Sequence, residues 1–200
     1  MSQASDQSDR ETIAAILAGD SERYAELVDT HQTGAIQLAY SLLSNYEDAR
    51  DAAQEAFVSA FHSLPRFKGS ARFSSWLYRI VVNKAKDKLR KRQRTPYMVS
   101  VDNDDESAGV GPFTLPDLKS KAPAEIMHEK ELATTISRAV QQLPFKQRTA
   151  FVLHHMQGKP LQECADVMGC RLGTVKTHVF RATQRLQALL AALYSERTLS

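Results

Sequence analysis

Two hundred residues fit one large domain or two small ones, and 42% apolar content supplies a core for either. No apolar run approaches the roughly 18 residues that a membrane span needs, and the opening stretch from Met1 to Glu11 is polar and acidic rather than signal-like, so a cytoplasmic protein is expected. Cys164 and Cys170 are too few for a disulfide framework.

The net charge of +3 conceals four blocks. Residues 1–65 sum to −8, 66–94 to +10, 95–135 to −5 and 136–200 to +6. Two basic blocks separated by acidic ones imply two places where a polyanion docks, with repulsion elsewhere. A single charge run is ordinarily a solvated helix face. Two of them, each attached to its own helical pattern, point to nucleic acid.

In chain order, Tyr24, Leu27, Val28, His31, Ala35, Leu38 and Leu42 fall on one face at spacings of three and four, which predicts a helix. Ala53, Ala56, Phe57, Ala60, Phe61 and Leu64 repeat the pattern in a second helix. Asn45 is placed to cap it, Glu47 and Asp48 suit its first turn, and Pro65 marks its end. A third helix is expected from about Phe73 to Arg94, apolar first (Trp76, Leu77, Ile80, Val81) and cationic afterwards. Its last turns suit the negative end of the helix dipole, but their mutual repulsion calls for an anionic partner. Phe67, Phe73, Trp76 and Tyr78 are interleaved with these cations. Aromatic faces stack on unpaired bases while cations hold phosphate, so the stretch suits single-stranded or locally opened nucleic acid. Trp76 also reads simply as core, because it opens an apolar half-helix.

From Thr95 to Ala124 the periodicity collapses among Pro96, Pro112, Pro116 and Pro123, with an acidic cluster from Asp102 to Glu106. An extended or disordered linker is expected. Its thirty residues reach roughly 100 Å when stretched and about 30 Å as a coil, enough to set two small domains apart on one long ligand. Helical pattern then returns over Ile126 to Leu143, Pro144 to about Gln157, Leu161 to Met168 and roughly Gly173 to Tyr194. No strand is expected; the fold class is all-α.

The stretch from Leu161 to Arg181 has the makings of a helix-turn-helix. Ala165 is small enough for close helix approach, Gly169 supplies the positive φ of the turn, and Val175 packs the second helix back on the first. Arg171, Thr174, Lys176, Thr177, His178, Phe180 and Arg181 then lie near the face that enters a major groove. His154 and His155 beside the two cysteines invite a zinc reading, but no CxxC pair exists and Cys164 falls on the inward face, so no metal is expected. Nothing matches a phosphate loop, a nucleophile elbow or a metallohydrolase spacing, and no catalysis or cofactor is expected.

These two constellations together resemble the extracytoplasmic-function sigma factors of bacterial RNA polymerase, nearest the sigma-E-like group. Asp51 to Phe57 is similar to that family's region 2.2, Phe67 to Asn83 to its regions 2.3 and 2.4, and Leu143 to Arg148 with Gly173 to Thr177 to its region 4. Trp76, Leu77, Tyr78, Arg79 and Ile80 followed by Asn83 form the most specific signature.

The resemblance implies a region 2 domain over 1–95, a linker over 96–124 and a region 4 domain over 125–200. It implies binding of core polymerase at its beta-prime clamp helices through Asp48, Asp51, Gln54 and Glu55, with the beta flap as a further contact of core polymerase. The −10 element would be recognised and opened by Phe67, Lys68, Ser70, Phe73, Tyr78, Asn83, Lys84, Lys88 and Lys91, with a flipped base against the loop from Phe67 to Phe73. The −35 element would be read as duplex by the second helix of the helix-turn-helix. An anti-sigma factor is a usual partner in the family. Two positions depart from the pattern, His178 where arginine is usual and Thr183 where a basic residue is common, so −35 preference does not carry over. The rival reading is a stand-alone helix-turn-helix regulator on operator DNA, which leaves the first basic block unexplained.

Overall fold

The computed structural model describes the backbone of residues 3–94 and 123–198, all of it helices and short connections without a strand. The expected linker and its acidic cluster therefore lie outside the described residues up to 122, and Pro123 opens the next helix. Helices α1 (Gln3–Leu17), α2 (Tyr24–Leu43), α3 (Tyr46–Ser63) and α4 (Phe73–Arg94) form the first unit. The second contains α5 (Pro123–Gln141), α6 (Phe145–Phe151) with a π turn over Val152–Met156, α7 (Leu161–Met168) and α8 (Leu172–Thr198).

The first unit is built on the mutual packing of α2, α3 and α4. The inward face of α3 is Ala49, Ala52, Ala53, Ala56 and Ala60, all essentially buried, and these small side chains let its neighbours approach closely. Leu27, Leu38 and Leu42 of α2 fill the space between. Leu38 is 0% exposed, so Leu38→Ala is expected to lower unfolding free energy by about 3 kcal/mol through lost burial and a residual cavity. Urea denaturation at constant slope measures it. Asn45 caps α3 as expected, accepting from the Asp48 N–H at 2.8 Å, directly after Ser44 ends α2 in the left-handed region.

Helix α1 is absent from the sequence expectation. Its inner face mixes Asp9 and Thr12 with Ile13 and Ile16, so no clean apolar stripe announces it. Both oxygens of the buried Asp9 carboxylate lie 3.0 Å from His31 Nε2 on α2. Asp6 pairs with Arg72 at 2.8 Å, just ahead of α4. Long-range polar partners dock this helix.

In the second unit Gly169 ends α7 at φ +62°, and Ala165 and Val175 are buried as a helix-turn-helix requires. The two units pack on one another, α7 against α4, and the end of α5 together with α6 against the C-terminal end of α2.

Candidate nucleic-acid interface

Successive turns of α4 and α3 face each other. Lys84 approaches Glu55 at 3.5 Å, Lys88 lies 3.4 Å from Asp51 and 3.6 Å from Glu55, and Arg92 pairs with Asp48. Positions 84, 88 and 92 thus form one i, i+4 row that meets the acids of α3. The +10 block is therefore partly neutralised inside its own unit. Asn83, Lys86, Arg90, Lys91 and Arg94 point elsewhere and are exposed. Lys68, Lys86 and Lys91 carry no ion pair among the described residues. This outer row, with Lys68 and Ser70 in the exposed loop ahead of α4, is the cationic surface that remains open to a polyanion.

At the head of α4 three rings form one cluster. Phe67 lies 5.1 Å from Trp76 and 6.0 Å from Phe73, and Phe73 lies 5.7 Å from Trp76, between centroids. Phe73 is the most buried, at 3% exposure, and its other side meets the His31 ring. Phe67 and Trp76 are half-buried and keep one side towards solvent. Tyr78 is buried at 5% exposure, and burial, aided by the Glu163 charge, pushes its hydroxyl up to about 12. Gly34 on α2 makes room for that ring, since a Cβ there would collide with the hydroxyl. Of the sequence-named residues, Phe73 and Tyr78 are thus interior in this arrangement, whereas Lys68, Ser70, Asn83 and Lys91 are exposed.

The acid face adjoins an apolar groove between α2 and α3 of about 550 Å³, lined by Tyr24, Val28, Ile36, Phe57, Val58 and Phe61 with Arg50 and Gln54 at its edge. Val58 is 53% exposed there. Asp51 and Glu55 remain half exposed despite their lysine partners.

Arg171, just ahead of α8, and Thr174, Lys176, Thr177, Phe180 and Arg181 along its first turns are exposed, while Val175 and Ala182 point inward. Phe180 is 63% exposed, an uncommon position for a large apolar ring and suited to apolar contact in a groove. His178 is only half exposed, and burial together with Lys146 and Arg181 holds its ring below the usual value. It is therefore neutral at pH 7. Lys146 enters this site from α6, and sequence spacing could not have placed it there. Among the described residues no group of three or more His, Cys, Asp or Glu side chains could hold a metal ion, and His154 Nδ1 lies 2.9 Å from the Lys159 carbonyl instead.

Residues 27–95 match the Sigma-70 region 2 family and residues 134–186 match the Sigma-70 region 4 family. ECF RNA polymerase sigma factor SigW of Bacillus subtilis is 32% identical, covering 92% of this chain and 97% of that protein. The chain belongs to the extracytoplasmic-function sigma factors. The RNA polymerase sigma-H factor of Pseudomonas aeruginosa is 34% identical over 94% of this chain and 96% of its own. Among solved structures, CnrH in complex with the cytosolic domain of CnrY is 26% identical with a TM-score of 0.63, covering 92% of this chain and 97% of that one. The sigma factor RpoE in complex with the anti-sigma factor NepR from Bartonella quintana is likewise 26% identical, with a TM-score of 0.60 over 84% of this chain and 96% of that one.

The protein is an RNA polymerase sigma factor, a non-enzymatic initiation factor that directs promoter-specific transcription. The region 2 match accounts for the first basic block, which a stand-alone regulator would leave idle. No helix among the described residues is long and apolar enough to cross a membrane.

Proposed function

We propose that this sigma factor divides its work between a core-binding and −10-opening unit over 1–95 and a −35-reading unit over 125–200, joined through 96–124. Asp48, Asp51, Gln54 and Glu55 bind the clamp helices of core polymerase, and the apolar groove beside Gln54 takes the apolar stripe of the same partner. Phe67 and the loop to Phe73 receive the flipped base. Asn83, Lys86 and Lys91 follow the strand, and Lys84 and Lys88 join them as core polymerase takes over their acidic partners. Arg171, Thr174, Lys176, Thr177, Phe180 and Arg181 read the −35 duplex, with His178 filling the groove wall as a neutral ring.

The observation that carries the reading is the row of ion pairs between α3 and α4. Exposed pairs of this kind are worth at most about 1 kcal/mol, so polymerase on one side and DNA on the other separate them cheaply. An anti-sigma factor is the further partner, by analogy with the complexes of CnrH and RpoE. The protein acts in the cytoplasm, where its polymerase is.

Mixing the purified chain with core RNA polymerase and a promoter library tests this directly. Run-off transcripts that need the added chain are expected. Failure to associate with core enzyme at any salt concentration would overturn it.

A further inference from the structure

We propose that α1 is a brace for the −10 loop. Asp6 acting through Arg72, and Asp9 acting through His31 and Phe73, are positioning residues that fix the loop from Phe67 to Phe73 for the base it receives. The inference rests on that reading of the loop and extends it to a helix ahead of the region 2 match, which begins at residue 27.

The loop has little structure of its own. Lys68, Gly69 and Ser70 are exposed, and Gly69 turns the chain at φ +68°. The backbone is tied at its two ends, where the Phe67 N–H donates to the Leu64 carbonyl at 2.9 Å and the Trp76 N–H to the Arg72 carbonyl at 3.1 Å. Among the described residues, Lys68, Gly69, Ser70 and Ala71 make no backbone-to-backbone hydrogen bond. A segment without internal bonds takes its conformation from the side chains that hold its flanks.

Helix α1 holds the flank next to α4. Arg72 Nε meets Asp6 Oδ2 at 2.8 Å, in the first turn of α1. One residue on, the Phe73 ring packs 5.3 Å from the His31 ring, between centroids, and His31 Nε2 lies 3.0 Å from each oxygen of Asp9. A ring nitrogen facing a carboxylate carries the hydrogen, so Asp9 sets both the tautomer and the tilt of the imidazole behind Phe73. Phe73 in turn supports Phe67, 6.0 Å away. Asp6, Ile13, Phe67, Ala71 and Arg72 close round a hollow of about 10 Å³, no larger than one water, so the loop is packed directly on the helix.

The brace is itself fixed to α2. Thr12, 2% exposed, donates to Glu26 Oε2 at 3.0 Å, and Arg23 forks onto the same carboxylate at 2.8 and 2.9 Å. Two parallel bonds of this kind resist rotation. Ile13 and Ile16 are buried beside them. Asp9 is only 5% exposed, and a buried ion pair adds little stability that apolar packing would not. What it supplies here is direction, one fixed geometry at the root of the loop. Acids beside a DNA-reading loop also repel phosphate, so charge alone would keep Asp6 away from this place.

The test uses holoenzyme assembled from core polymerase and the full chain. Opening is followed by 2-aminopurine fluorescence in the −10 element, and base preference at the −10 position where the wild type discriminates most. Asp6→Ala is expected to slow opening about fivefold, the most a pair this exposed can carry, and to narrow the preference by a similar factor. Charge alone predicts the opposite sign, since removing an acid beside DNA strengthens binding. Asp6→Glu, which keeps the charge, should open within about twofold of wild type. In an Arg72→Ala background Asp6→Ala should add less than about twofold, because its effect runs through that arginine. Asp9→Asn, with helicity intact, is expected to slow opening about tenfold; if it fails to fold, the Asp6 series decides alone. Affinity for core enzyme should stay within about twofold throughout, its surface being elsewhere. Normal opening in Asp6→Ala overturns the brace. So do losses that add to those of Arg72→Ala, or core affinity falling in step with opening, the mark of a damaged fold. Phe67→Ala separates the two readings: slow opening there beside a normal Asp6→Ala removes only the brace, whereas normal opening in Phe67→Ala removes the loop reading and the brace with it.

Discussion

Replacing Asp51 and Glu55 together by lysine is expected to weaken binding to core RNA polymerase by about 100-fold or more, the scale of like charges set against one another at an interface. The structure adds a condition on how this is measured. Asp51 and Glu55 already face Lys88 and Lys84, so lysines there also repel α4 from within. The cleaner variant is Asp51→Asn with Glu55→Gln, which removes charge without creating that repulsion, and a loss of about tenfold is expected from it. Titration of fluorescently labelled core enzyme gives both numbers. Affinity of the full chain for a −35 duplex should not move, since that surface is on the other unit. Equal loss of both activities would refute the division of labour, and full core affinity in the Asn/Gln variant would remove the acid face from the core interface.

Replacing Lys176 and Arg181 by alanine is expected to abolish dependence on the −35 sequence. Both side chains are exposed on the first turns of α8, within reach of guanine edges or phosphates. Each lost base-specific contact is worth on the order of 1–3 kcal/mol, so the pair should cost at least about 30-fold in affinity for the cognate duplex. Core binding and opening of a promoter supplied with a pre-melted −10 region should persist. Retained discrimination between cognate and scrambled −35 duplexes would show that another face of α8 reads the DNA. His178, neutral and half-buried, is expected to add contact but no phosphate affinity at pH 7. This accords with its standing where the family usually has arginine.

The helices from Tyr24 onward were legible because apolar periodicity is a local property: each inward face of α2 and α3 is spelled out in consecutive turns. The helix-turn-helix was legible for the same reason, since Ala165, Gly169 and Val175 meet their requirements within one short segment. Helix α1 was not, because Asp9 finds its partner in His31 and Asp6 in Arg72, both distant in sequence. Tyr78 illustrates the same limit. Its neighbours in sequence place it in a strand-opening signature, yet its ring is enclosed by Gly34 on α2 and Lys159 beside α7. The lysines of α4 are a subtler case. Positions 84, 88 and 92 answer acids at 55, 51 and 48, a complementary i, i+4 pattern in the sequence that makes sense only once α3 and α4 lie side by side.

The sequence by itself determined the helices from Tyr24 onward, the two cationic blocks, the helix-turn-helix and the family, because each rests on residue types and spacings within one segment. Only the tertiary structure decided which cations stay free for DNA, which aromatic rings are buried, and that the two units close on one another. Those outcomes depend on long-range partners. A lysine opposite a carboxylate, the Ser75 hydroxyl donating to Glu163 and an arginine closing another helix's carbonyls are neighbours in space alone, and desolvation and charge pairing act on that distance.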